Sequence, residues 1–337
     1  MDRIMRCVLA TALFFGLVGL SGSQELVFAS AAESSRMLAA KDAFVVRMSP
    51  FDRAARKKTE REVSESQFLE FAASAALEWE QREKNKIESA YRTIRSAVAS
   101  LSLPLPDQIY VIKTSGIEEG DAAYTRGNAI ILPRSVVAMP EREIQRFLAH
   151  ELFHISSRNN PALARMLYKS IGFQYCGEIE FPANLAYRKI TNPDAPKNDY
   201  CIQLGFNRQK IWAVPILFSN APKYDTALGG EFFQYLQLAM LLVETPVADT
   251  APKALYDSNG PRLVELQRLS GFFEQVGQNT GYVIHPEEIL ADNFALLVVG
   301  ERDVRSPEVL TRMQKVLASF RVVDHGDAGV ALKTARH

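Results

Sequence analysis

The chain is short of several things, and each shortage narrows its chemistry. Its 39 basic and 39 acidic residues cancel. A net charge of zero gives no electrostatic reason to expect nucleic acid or an anionic membrane surface as a partner. Cysteine is scarce, with only Cys7, Cys176 and Cys201 in 337 residues. None belongs to a C-x-x-C pair, which argues against a cysteine-built zinc site. Histidine is nearly as scarce, at five residues: His150, His154, His285, His325 and His337. The apolar run Cys7–Leu20 is short for a bilayer span, which favours a cleaved segment over an uncleaved anchor, and no internal repeat or low-complexity tract is present. What remains is an ordinary globular composition, 47% hydrophobic, long enough for one large domain or two smaller ones.

The N-terminus has the form of a secretory signal peptide. Arg3 and Arg6 precede the run Cys7–Leu20, and Ala29-Ser30-Ala31 offers small residues for cleavage, with Leu20–Ser23 as an earlier option. Residues 1–31 are therefore expected to direct export to the periplasm or beyond. Cys7 opens the apolar run instead of following it, so it is not placed for lipid attachment. Removal of this segment leaves Cys176 and Cys201. An even count in an exported chain predicts a disulfide between them, and two buried free thiols are the alternative.

The richest stretch is His150-Glu151-Leu152-Phe153-His154. On a helix, residues four apart share a face, so His150 and His154 can aim two imidazoles at one point. That suits a tetrahedral zinc ion, and Glu151, one step round, sits where a general base would stand. Pro140 suits the first turn, Glu141 and Glu143 complement its positive end, and Ile144, Phe147, Leu148, Leu152 and Ile155 keep helical spacing. A second stretch, His285-Pro286-Glu287-Glu288-Ile289-Leu290-Ala291-Asp292, reads as another helix. Glu288 and Asp292 are also four apart. One carboxylate can complete a metal shell and the other can fix the tautomer of a ligand histidine.

Together the two motifs, H-E-x-x-H and the later E-x-x-A-D, resemble the gluzincin metallopeptidases, the group that includes thermolysin. The resemblance implies one zinc per chain, held by His150, His154 and Glu288, with Glu151 as general base and Asp292 behind a ligand histidine. Glu287 is the rival third ligand; Glu288 is preferred because it alone has an Asp four residues on. The resemblance covers only these two helices, and Glu288 lies 134 positions after His154 (288 − 154), far more than in thermolysin. It implies hydrolysis of a peptide or protein substrate and a small sheet before the motif helix, with Ala122–Thr125 or Ala129–Ile131 as the edge a peptide pairs with. Two other readings stay open. One is a zinc hydrolase of a non-protein amide, such as a cell-wall link. The other is a catalytically silent zinc-binding interaction protein.

The expected fold is α+β, predominantly helical and zincin-like. Residues 32–105 read as an N-terminal helical region. Its basic cluster Arg53, Arg56, Lys57, Lys58 and Arg61 fits a solvated helix face. The capping box Ser64–Gln67 starts a helical pattern that runs, continuous or bent, to Leu101. Residues 106–337 read as the catalytic domain. Strands are expected at Ile109–Ile112, Ala122–Tyr124 and Ala129–Leu132, and helices at Pro161–Ile171, Glu231–Val243, Pro261–Val276, Pro286–Val299 and from Ser306-Pro307 to about Phe320. Residues 173–228 read as a loop-rich insertion, pinned by Cys176–Cys201, that walls or lids the cleft. Tyr187, Arg188, Tyr200, Tyr282 and His285 are equal candidates for an oxyanion donor.

Overall fold

The computed structural model describes residues 24–247 and 250–330. The charged start and apolar run of the expected signal peptide lie outside these residues. The chain begins with strand β1 (Glu25–Phe28), helices α1 (Ala31–Leu38), α2 (Ala43–Arg47), α3 (Pro50–Arg56) and α4 (Glu65–Ser74), strand β2 (Ala76–Leu77) and helix α5 (Gln81–Ser100). Next come β3 (Gln108–Thr114), β4 (Tyr124–Arg126), β5 (Ala129–Pro133), α6 (Arg134–Ala138), α7 (Glu141–Asn159) and α8 (Pro161–Ser170). The last part holds β6 (Phe173–Tyr175), α9 (Ala183–Ala186), β7 (Tyr200–Phe206), β8 (Gln209–Ser219), β9 (Leu236–Val243), β10 (Tyr256–Asp257), β11 (Gly260–Pro261), β12 (Leu263–Val264), α10 (Phe272–Val276), α11 (Pro286–Val298) and α12 (Pro307–Val330). Helix outweighs strand by about two to one, 43% against 21%, so the fold is mixed α and β with helix dominant. Among the described residues no helix is long and apolar enough to cross a membrane.

The first sheet has the order β1-β3-β5-β4, with β2 also on β3. β1, β3 and β5 run parallel, and β4 is antiparallel at the edge. A two-residue turn, Gly127-Asn128, joins β4 to β5, and Gly127 supplies the positive φ of 56° that such turns require. Side chains alternate across this sheet. Ile109, Val111, Ile130 and Leu132 enter the main core with α5, α7, α8 and α11, while Ile112, Ala129 and Ile131 pack under the N-terminal helices. Both faces are thus covered, which is why β5 is buried at every position. β1 lies within residues 1–31, so a cut at Ala29–Ala31 would strip a strand from this sheet, whereas one at Leu20–Ser23 would spare it.

Residues 173–228 are loop-rich only in part: 176–199 is irregular apart from α9, but the segment also supplies three strands of a second sheet, antiparallel throughout in the order β12-β9-β8-β7-β6. Pro215 sits in β8 beyond the stretch that pairs with β7, so its missing N–H breaks no ladder there. Glu231–Val243 is likewise not a helix: a 3-10 turn, Phe232–Tyr235, leads into β9. A short apolar run has no period to separate strand from buried helix, and here pairing with β8 and β12 decides. Pro261–Val276 is broken into β11, β12, a 3-10 turn and α10, with Gly271 at φ 85° before α10. The pattern from Ser64 to Leu101 is interrupted too, because Ala76–Leu77 leaves the helix to pair with β3, and both flanking helices start with capping boxes.

Two expectations about single side chains are overturned. Cys176 and Cys201 are free thiols, buried side by side in the core between the second sheet and α9. They lie at the β6–β7 end of that sheet, whose ladder already holds the two segments together without a covalent link. Arg56 is not on a solvated face. It is 2% exposed, donates to Glu119 at 2.6 and 2.9 Å and to Asp52, and stacks over Phe232 at 4.0 Å. This links α3 to the loop before β4. Arg56→Met would leave two buried carboxylates without their cation and is expected to cost about 3–5 kcal/mol. Urea unfolding should show a lower midpoint with an unchanged slope; an unshifted midpoint would contradict the linkage.

Candidate metal centre

Helix α7 forms where it does because Pro140 caps it, two acids fill its first turn, and Ile144, Leu148, Leu152 and Ile155 are fully buried along one stripe. It packs against α5 and α11. In α11, Pro286 takes the first helical position and His285 caps the end, its Nδ1 accepting from the Glu287 amide at 3.1 Å. Almost every residue of α11 is buried, the acids Glu287 and Glu288 included. Acids at that depth need partners, and α7 supplies them.

The donors converge. Glu288 Oε2 lies 3.2 Å from His150 Nε2 and 3.5 Å from His154 Nε2. Zinc bonds of about 2.0–2.1 Å in a tetrahedral shell set neighbouring donors about 3.3 Å apart, so Glu288 stands at ligand spacing from both nitrogens, and the three donors lie within 4.8 Å of one another. The opposite nitrogens are both engaged. His150 Nδ1 meets Asp292 Oδ1 at 3.0 Å, and His154 Nδ1 meets Glu287 Oε1 at 2.9 Å. Carboxylates behind the rings hold the protons on Nδ1, so that a neutral ring would turn its Nε2 lone pair inward. These acids are themselves anchored: Asp292 by Thr280, Glu287 by Ser157 and Tyr168. Asn192 donates to Glu288 Oε1 at 2.6 Å. The site therefore fits a metal on an observation independent of the motif. His154 Nε2 and Glu151 Oε2 are buried with no hydrogen-bond partner, and both belong to groups that can hold a cation.

Glu287 and Glu288 are thus separated by geometry. Glu288 faces both Nε2 atoms, and Glu287 stands behind His154, a role that helical spacing alone does not give it. Asp194 has no signal in the sequence. It lies outside both motifs, yet its carboxylate forms a second donor group with Glu151 and His154, the atoms all within 4.8 Å of one another. No local pattern announces it; only the path of the chain after α9 brings it in. Of the five candidate oxyanion donors, Tyr282 lines the same small cavity as Asn192 and Asp194. His285 is committed to capping α11, Arg188 donates to the Ser219 carbonyl at 3.1 Å, Tyr200 packs against Tyr168, and Tyr187 is exposed.

Burial and these pairs set the electrostatics. Burial opposes charge on His150, but Asp292 and Glu288 outweigh it and push the imidazole up to about 10. Burial opposes charge on His154 as well, and Asp194, Glu288 and Glu287 still raise it well above its ordinary value. Glu288 is held well below the usual carboxylate range, against its burial, by the two imidazoles. Burial and then Asp194 lift Glu151 to about 8.

No protein-family model, no curated protein and no solved structure matches this chain. Its own geometry alone carries the functional reading.

Protons and a cation compete for the two imidazoles. The raised pKa values favour the protonated rings, and a ligand nitrogen must first lose its proton. Zinc affinity is therefore expected to climb as pH rises through the neutral range, with proton release seen by calorimetry in buffers of different ionisation enthalpy; affinity flat in pH would contradict this. Asp292→Ala and Glu287→Ala should each weaken zinc by about 10–100-fold, read by competition with a chelator.

Proposed function

We propose that the chain is an exported zinc-dependent hydrolase that cleaves peptide bonds, with His150, His154 and Glu288 as the metal ligands and Glu151 as the general base. One observation carries the reading: Glu288 stands at ligand spacing from the inward nitrogens of both motif histidines, while Asp292 and Glu287 hold the outward ones. Three protein ligands at a tetrahedral ion leave a fourth position, the mark of a catalytic and not a structural site. A zinc ion bound there would lower the pKa of a water to about 7 and polarise a substrate carbonyl.

The chain's own residues supply the remaining steps. Glu151 is 2% exposed and its Oε2 has no hydrogen-bond partner, so it is positioned to accept a proton from an attacking water. It then passes that proton to the leaving nitrogen, since an amine departs only when protonated. Burial favours this shuttle. A carboxylate lifted towards neutrality takes a proton more readily than one in water. Strand β4 is the outer strand of the first sheet, next to α7, and its edge is the one an extended peptide would pair with.

Glu151→Gln removes the base and leaves every proposed ligand in place. The variant is expected to hold about one zinc per chain, as the parent does, and to lose about 10²–10⁴ of its rate on an unfolded protein substrate. Metal content by elemental analysis and turnover on a panel of proteins and cell-wall fragments read the two properties separately. A zinc-loaded, fully active Glu151→Gln protein would overturn the mechanism. Activity on the cell-wall fragments alone would move the substrate from peptide to a non-protein amide.

A further inference from the structure

The loop between α9 and β7 passes over the candidate metal centre, and it does so as a pinned segment. Thr191 donates from its amide to Asp52 at 2.9 Å and from its hydroxyl to the Arg47 carbonyl at 2.9 Å. Asn192 reaches Glu288 Oε1 at 2.6 Å, and its own Oδ1 accepts from the Asp194 amide at 3.0 Å. Asp194 Oδ1 accepts from the Thr125 amide at 2.8 Å and the Thr125 hydroxyl at 2.5 Å, with Arg158 at 3.8 Å. The side chain of Asp194 keeps only 8% of its exposure.

These bonds fall where a substrate would have to enter. Thr125 is the middle residue of β4, paired on its other side with β5. The amide it gives to Asp194 is the one the edge would offer to an incoming strand. The cavity beside the centre, lined by Asn192, Pro193, Asp194 and Tyr282, holds only about 40 Å³. That is room for a water or so, where an organic ligand needs at least about 300 Å³. Both bonds from Thr125 fall on one carboxylate oxygen of Asp194, and the group sits within 4.8 Å of the donors of Glu151 and His154. Those two side chains are buried to 2% and 1% exposure and each keeps a polar atom without a partner.

We propose that Thr191–Pro196 is a built-in plug, held over the centre by Asp194, so that the metal-loaded chain rests closed and opens only when this segment withdraws. The inference rests on the metal centre proposed above and goes beyond it. The Asp194 carboxylate, packed beside Glu151 and His154, stands where a substrate carbonyl would approach. The bond to Thr125 keeps the edge strand blocked in the same state, so one displacement frees both.

The test uses the full chain loaded with Co(II), whose visible spectrum reports its ligands, and acetohydroxamate, which binds a metal only at an open position. The parent spectrum is expected to stay unchanged on adding the hydroxamate. Asp194→Ala removes the oxygen that Thr125 bonds and leaves His150, His154 and Glu288 in place. Its spectrum should match the parent's without hydroxamate and shift on adding it. A parent spectrum that shifts with hydroxamate overturns the plug, whether or not the variant folds. An Asp194→Ala protein whose spectrum stays unchanged with hydroxamate overturns the part of Asp194 in holding the segment. In either case an intact three-ligand site survives. A parent that binds neither zinc nor cobalt removes both proposals at once.

Discussion

The structure depends on one packing event, the burial of α11 against α7. These helices are far apart in the chain, and each brings ionisable side chains to the contact. Glu287 and Glu288 retain 1% and 2% of their exposure, and His154 retains 1%. Bringing such groups out of water costs several kcal/mol each unless they find partners. The pairs His150–Asp292, His154–Glu287 and Glu288 with both rings provide them. Pulling the helices apart would leave each charge alone in an apolar core. The contact is therefore specific in register as well as favourable in burial, because a shift of one residue along α11 would break every pair.

The rest of the fold holds these two helices in place. The first sheet and α5 back α7, and α8 and α12 sit against each other and reach α11. The second sheet lends one face to the same core through Ile202, Leu204, Met240 and Leu242. Its other face closes over α9 and the two thiols. The N-terminal helices cover the far face of the first sheet, and the buried Arg56 ties them to the loop before β4. Helix α5 shares its core with α7, α8 and α11, so the main core includes residues on both sides of position 105.

A closed centre and a reactive one make opposite demands on the same residues. Catalysis asks for an open metal position and a free strand edge. Asp194 bonds the outward amide of Thr125 and lies within 4.8 Å of the donors of Glu151 and His154. The two prolines at 193 and 196 limit how this segment can bend. The same segment carries Asn192, which donates to Glu288. Withdrawal of the segment would free that carboxylate oxygen in the same motion.

The sequence by itself determined the two motif helices and the ionisable side chains they carry. Both motif helices have strong local signals in Pro140, Pro286 and the 3.6-residue apolar stripe, and a spacing of four fixes which side chains share a face whatever surrounds them. It could not determine which of two adjacent acids faces the histidines, because that depends on the rotation of α11 against α7. Nor could it find Asp194, which a loop crossing the site, and not any spacing, brings beside Glu151 and His154. The apolar run Leu236–Val243 reads equally well as helix or strand, and β8 and β12 as neighbours decided it. The two thiols could have been a disulfide by count, and the fold left them free. Local spacing is a property of one segment. Facing, pairing and burial belong to two segments at once, and only tertiary packing chooses the second.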